Sequence, residues 1–161
     1  VAKRDWITAE ELRRQLEANP EQAARRDARA ARHAEGGKQI ATDEAPLIAE
    51  LADVGLVVSS VYDFVGKQLA PNLALPILVR HLSVEHHPRI REGLIRALGI
   101  PSARHMALDP LCNAFRKERD PTLQWVIANA LSGMARFEEV AELPGIQQFA
   151  DLFSKRSGGT P

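Results

Sequence analysis

The 161-residue chain contains one cysteine, Cys112, and few aromatic residues: five Phe, two Trp and one Tyr. A single thiol excludes an intrachain disulfide and a cysteine-built metal cluster, so a cystine-stapled secreted fold is ruled out. Excess charge of either sign is also missing, because 21 Lys and Arg balance 21 Asp and Glu. No global field drives such a chain towards DNA or an anionic membrane, although a local patch still can. Long hydrophobic runs are absent and no signal-peptide core stands at the start, which makes a soluble, cytoplasmic chain without membrane insertion the expectation. β-branched residues are sparse, with ten Val and nine Ile against 24 Ala and 18 Leu. Ala and Leu lose little in a helix, so the composition points to an all-α fold.

The first 40 residues are rich in charge and in alanine and read as a charged helical N-terminal arm or cap. Thr8 and Glu11 form a capping-box pattern ahead of Leu12 and Leu16, and Asn19-Pro20 opens a second helix over 20–35. Gly36-Gly37 is expected to stop it. Thr42 then caps a helix carrying Leu47, Ile48, Leu51 and Val54, which Gly55 ends. Residues 56–65 read as helix rather than strand, since Val57, Val61 and Phe64 keep a three-to-four spacing and no strand partner follows. Residues 41–153 make the folded domain and 154–161 a flexible tail.

The strongest internal signal is a repeat. The run from Leu75, LPILVRHLSVEHHPRIREGLIRALG, aligns with the run from Asp109, DPLCNAFRKERDPTLQWVIANALSG. Pro76 matches Pro110 and Pro88 matches Pro121, at separations of 34 and 33 residues. Each unit reads as a helix with an early proline, a polar turn, and a second helix opened by proline. Ile90, Leu94 and Leu98 then correspond to Leu123, Ile127 and Leu131. Ala97-Leu98-Gly99 and Ala130-Leu131-Ser132-Gly133 close the second helices with small residues.

On these cues residues 72–135 resemble HEAT-like or armadillo-like helical repeats, and the likeness extends more loosely over 42–153. NLALPILVRHL before HHPRIREGLIRALG, and LDPLCNAF before DPTLQWVIANALSG, carry it. The resemblance implies a short right-handed α-α solenoid of stacked antiparallel helix pairs, whose faces commonly bind proteins and sometimes nucleic acid. It also implies a basic position at Arg91, from which the second copy departs with Gln124, as it departs from Glu92 with Trp125. Such a scaffold serves many unrelated tasks, so fold alone assigns no function.

Charge is segregated along the chain. Residues 42–66 hold Asp43, Glu44, Glu50, Asp53 and Asp63 with no Lys or Arg, whereas Arg80, Arg89, Arg91, Arg96 and Arg104 cluster further on with His81, His86, His87 and His105. Arg80, His86, His87, Arg89, Arg91, Arg96 and Arg104 are therefore the candidate partner-binding residues. Trp125 is the candidate apolar anchor, although the repeat pattern places Tyr62, Phe115, Trp125 and Phe137 in the core. Protonation of His86 or His87 offers a way to tune a partner contact in mild acid.

No catalytic residue, cofactor or metal site is expected. His86-His87 are adjacent and do not point together, and the set lacks a His pair at i,i+4 with its acid. The serines stand outside any nucleophile elbow, Gly36-Gly37-Lys38 lacks the strand of a phosphate loop, and Asp109 and Asp120 before prolines read as helix caps. The function these features favour is a non-enzymatic scaffold or adaptor with a protein partner. The alternatives are a nucleic-acid binder linked to DNA maintenance, using Arg89, Arg96 and Arg104, and an enzyme with a site between repeats.

Overall fold

The computed structural model describes residues 8–17, 20–65 and 71–154. The expected Asn19 cap and most of the tail lie outside the described residues. Every regular element among the described residues is helical. The helices are α1 (Ala9–Glu17), α2 (Pro20–Asp53), α3 (Pro71–Leu82), α4 (Pro88–Leu98), α5 (Arg104–Lys117), α6 (Pro121–Ser132), α7 (Phe137–Val140) and α8 (Ala150–Ser154). Single 3-10 turns stand at Val61–Phe64, Pro101–Ala103 and Ile146–Phe149. Two compact units divide the chain, Val1–Ala41 and Thr42–Pro161.

In the first unit Thr8 caps α1, its hydroxyl accepting the Glu11 N–H at 3.2 Å. The part of α2 that follows is almost wholly exposed and carries an Arg25–Glu21 pair one turn apart. The expected stop at Gly36-Gly37 does not occur, and Thr42 does not open a new helix: α2 runs unbroken through all three residues. Glycine in a helix costs about 1 kcal/mol relative to alanine, which disfavours a helix without forbidding it, and strong helix formers flank the pair. The stop comes at Gly55, whose φ of 84° is left-handed. There the Leu56 N–H reaches back to the Leu51 carbonyl at 2.9 Å, as a chain leaving a helix through a left-handed glycine does.

The second unit is built on two helix pairs, α3 with α4 and α5 with α6. Helix α3 also packs on α5, and α4 on α6, so first helices meet first helices and second helices meet second. The expected repeat positions all turn inward: Ile90, Leu94 and Leu98 on α4, and Leu123, Ile127 and Leu131 on α6, are buried. Each such side chain contributes roughly 1.5–3 kcal/mol of hydrophobic free energy. Pro88 and Pro121 occupy the first turns of α4 and α6. The residue before each proline supplies a cap: the Asp120 carboxylate accepts the Thr122 N–H at 2.8 Å, and His87 Nδ1 accepts the Arg89 N–H at 3.2 Å.

Two expectations need correction here. Asp109 is not a cap, because α5 begins at Arg104, directly after the Pro101–Ala103 turn, and Asp109 and Pro110 lie in its interior. Pro76 is likewise interior to α3. Residues 56–65 also do not make a regular helix, since only Val61–Phe64 turns, and Val57 is 95% exposed. Short polar side chains take over the backbone there. The Asp63 carboxylate accepts the Ser59 and Ser60 N–H groups at 2.8 and 3.2 Å. The buried Glu44 of α2 accepts the Val61 N–H at 2.6 Å and the Ser60 hydroxyl at 2.9 Å, which fixes this turn against α2.

Helix α4 approaches its neighbours at two glycines. A Cβ on Gly93 would overlap the Val61 Cγ1 methyl and lie 3.0 Å from Tyr62 Cε2, and one on Gly99 would lie 3.0 Å from the Ala130 Cα of α6. Gly37, by contrast, has no neighbour within 4 Å of such a Cβ. Gly93→Ala and Gly99→Ala are therefore expected to lower stability in urea unfolding by about 1–3 kcal/mol each through overpacking. Gly37→Ala is expected to raise the helicity read by circular dichroism, as a substitution that stabilises the helix by about 0.5–1 kcal/mol does.

Candidate functional site

Two groups of polar residues stand out in the second unit. The first joins α2 to the α3–α4 turn. His81, near the end of α3, is 5% exposed, and the His86 side chain is 4% exposed. His81 Nδ1 lies 2.9 Å from His86 Nε2. The outer nitrogens face carboxylates of α2: His81 Nε2 is 3.2 Å from Glu50 Oε2, and His86 Nδ1 is 3.3 Å from Asp43 Oδ1. Asp43 Oδ2 also accepts the His87 backbone N–H at 2.6 Å, and Glu50 is bridged by Arg80. The His87 N–H, followed by the His86 ring, holds the Asp43 carboxyl below its ordinary range, and the Arg80 guanidinium, followed by His81, does so for Glu50.

The sequence assembles four of these six groups visibly, on residues 80–87, but Asp43 and Glu50 stand 30 to 44 residues away in the acidic stretch, and no local pattern pairs them with the histidines. His86, a candidate partner-binding residue, is turned inward by this contact. His87 stays exposed as the α4 cap.

The remaining candidate arginines are dispersed, and most are matched inside the unit. Arg91 Nε donates to Glu118 at 3.2 Å, and Gln124, its counterpart in the second copy, donates to the Glu118 carbonyl at 2.9 Å. The two repeat positions thus converge on one turn. Arg96 pairs with Glu92 at 2.8 Å. Arg104 reaches the Met134 carbonyl and pairs with Glu139. Arg104, aided by the Arg136 backbone N–H, holds the Glu139 carboxyl at about 2. Arg89 is exposed, and its backbone carbonyl accepts the Tyr62 hydroxyl at 3.0 Å.

The second group is the outer side of α4 and α6. Arg89, Glu92 and Arg96 share one stripe of α4, and all three act on the Tyr62 phenol, which burial first and Glu92 second push up from its ordinary value. On α6 the residues in register with this stripe are Thr122, Trp125 and Asn129. Trp125 is 43% exposed, although the repeat pattern assigned it to the core, where Phe115 does lie. The signal that could have found it is the register itself, because Trp125 stands at the position of the charged, partly exposed Glu92. Tyr62 and Phe137 are partly covered.

Elsewhere, Pro101 and Arg104 border two open grooves of about 540 and 400 Å³ beside the Arg104–Glu139 pair. Burial pushes the half-covered Cys112 thiol up, away from the reactive thiolate. No set of three or more His, Cys, Asp or Glu among the described residues is placed to hold a metal ion, and no helix among them is long and apolar enough to cross a membrane. Comparisons with protein-family models, curated proteins and solved structures return no match for this chain.

Because Glu139 titrates at about 2 in the folded chain and near 4.5 when free, its pairing adds stability above the free value that is lost as pH falls towards 2. Glu139→Gln is expected to flatten the acid limb of the stability profile between pH 4.5 and 2, read from urea midpoints at each pH.

Proposed function

We propose that residues 41–153 form a short α-α solenoid related in plan to HEAT and armadillo repeats, and that the chain works as a non-enzymatic protein-interaction scaffold. The packing of α3 on α5 and of α4 on α6 supports the stacked-pair reading, since a solenoid brings equivalent helices of successive units together. The observation that carries the interaction reading is the half-exposed Trp125 on α6, an aromatic placed where the preceding unit has Glu92. A tryptophan at the surface is the residue type most enriched at binding hot spots, where its apolar body is buried by a partner.

The partner this face fits is a protein segment with an apolar side chain for Trp125 and a carboxylate for Arg89. Glu92, paired with Arg96 in the middle of the stripe, opposes phosphate and disfavours the nucleic-acid alternative. The internal matching of Arg91 and Arg104 points the same way, because those charges are already spent within the fold.

The test places a photo-crosslinking aromatic at position 125 of the full chain and, separately and without crosslinking, compares pull-down from extracts of the source cells by the unaltered chain with that by Trp125→Ala and Arg89→Glu. The expected result is a nuclease-resistant protein adduct at position 125, with recovery reduced at least about tenfold by either substitution, as for a hot-spot residue worth 1.4 kcal/mol or more. A salt-sensitive, nuclease-sensitive adduct would assign the face to nucleic acid. Recovery indifferent to both substitutions would remove the proposal.

A further inference from the structure

We infer that His81 and His86 form a buried proton-binding site which holds three protons on two imidazoles, one more than a pair of neutral rings carries. This goes beyond the interaction reading and does not depend on it. The argument is a count of hydrogen-bond donors. A neutral imidazole has one N–H and one bare nitrogen, and an imidazolium has two N–H groups. Asp43 and Glu50 are both held below the ordinary carboxyl range and are ionised near neutrality, so each can only accept. His81 Nε2 and His86 Nδ1, which face them at 3.2 and 3.3 Å, must then both bear hydrogen.

That leaves the inner contact, His81 Nδ1 to His86 Nε2, at 2.9 Å. The rings are 19° from parallel with centroids 5.2 Å apart, a separation made of one N···N hydrogen bond and two ring radii. They therefore meet edge to edge rather than face to face, and the two inner nitrogens aim at each other. With two protons in all, both already committed to the carboxylates, two lone pairs would oppose each other in a buried space, where an unmade hydrogen bond costs most. With four, two N–H groups would collide. Three protons satisfy every contact.

The charge count agrees. The groups facing the pair are Asp43 and Glu50 from α2, Arg80 from α3, and His87 at the start of α4, which offers its backbone N–H; Glu85 lies exposed in the intervening turn. Two carboxylates, Arg80 and one imidazolium sum to zero, so the extra proton on the buried imidazoles completes a neutral network with their partly exposed partners. Loss of that proton leaves a net negative charge and an open inner contact at the seam of α2 with the α3–α4 turn.

A proton held by the folded pair and released on unfolding makes stability fall as pH rises. At the acid end the carboxylates that receive the outer N–H groups, both held below the ordinary carboxyl range, keep accepting until they protonate.

Nitrogen-15 NMR of the full chain at pH 7.5 tests the count directly. The expected spectrum has one bare nitrogen among the four of His81 and His86. One bare nitrogen on each ring of the buried pair would overturn the inference. In a second arm, the unfolding equilibrium constant should rise up to tenfold per pH unit between pH 7 and 8.5, one proton's worth, and His86→Gln should abolish that rise. An equal slope in both proteins would contradict the site. If His86→Gln does not fold, the proton count in the unaltered chain decides alone.

Discussion

The close approach of α4 to its neighbours on two sides is the constraint on which the second unit depends. Gly93 admits the Val61–Phe64 turn and Gly99 admits the backbone of α6 at Ala130, and neither contact leaves room for a methyl group. Between them Leu94, Ile95 and Leu98 are fully buried, so α4 has apolar neighbours from α3, α6 and the 3-10 turn at once. Interiors at crystal-like density transmit such small volumes, which is why a glycine here shapes three elements rather than one. The one side of α4 left open carries Arg89, Glu92 and Arg96, and that is where the proposed recognition face lies.

Electrostatics in this unit work mainly as joints. Arg80, Arg91 and Arg104 each reach an acid that is 27 to 35 residues distant, and together they tie α3 to α2, α4 to the α5–α6 turn, and α5 to α7. The more exposed of these pairs, Arg80–Glu50 and Arg104–Glu139, add modestly to stability, but all three fix which segments meet. The His81–His86 contact differs because it is buried and its donors must balance. A long-range arrangement of two carboxylates, one guanidinium and two imidazoles is the proposed means by which the seam between α2 and the α3–α4 turn becomes sensitive to pH.

Much of this was legible along the chain, where local chemistry decides the outcome. Pro88 and Pro121 start the second helices, Asp120 caps one of them, and the apolar triplets Ile90, Leu94, Leu98 and Leu123, Ile127, Leu131 point inward as their 3.6-residue period requires. What was not legible depends on context. Gly36-Gly37 fails to stop α2 because a glycine penalty is small against the surrounding helix formers. Asp109-Pro110 mimics a helix start, yet α5 had begun at Arg104. The apolar spacing of Val57, Val61 and Phe64 is overruled by Ser60, Asp63 and the distant Glu44. Charge segregation along the sequence suggested a basic face, but the acids of 42–66 and of Glu118 and Glu139 fold back onto it. Trp125 looked like core by hydrophobicity, and only its register with Glu92 marked it as surface.

The role of α4 as the shared packing element can be measured by native-state amide hydrogen exchange on the full chain carrying Gly99→Ala. If α4 holds the helix pairs together, protection in α3, α4 and α6 falls in concert, as expected for one cooperative unit. Loss confined to the last turn of α4, with α6 as protected as before, would contradict the account.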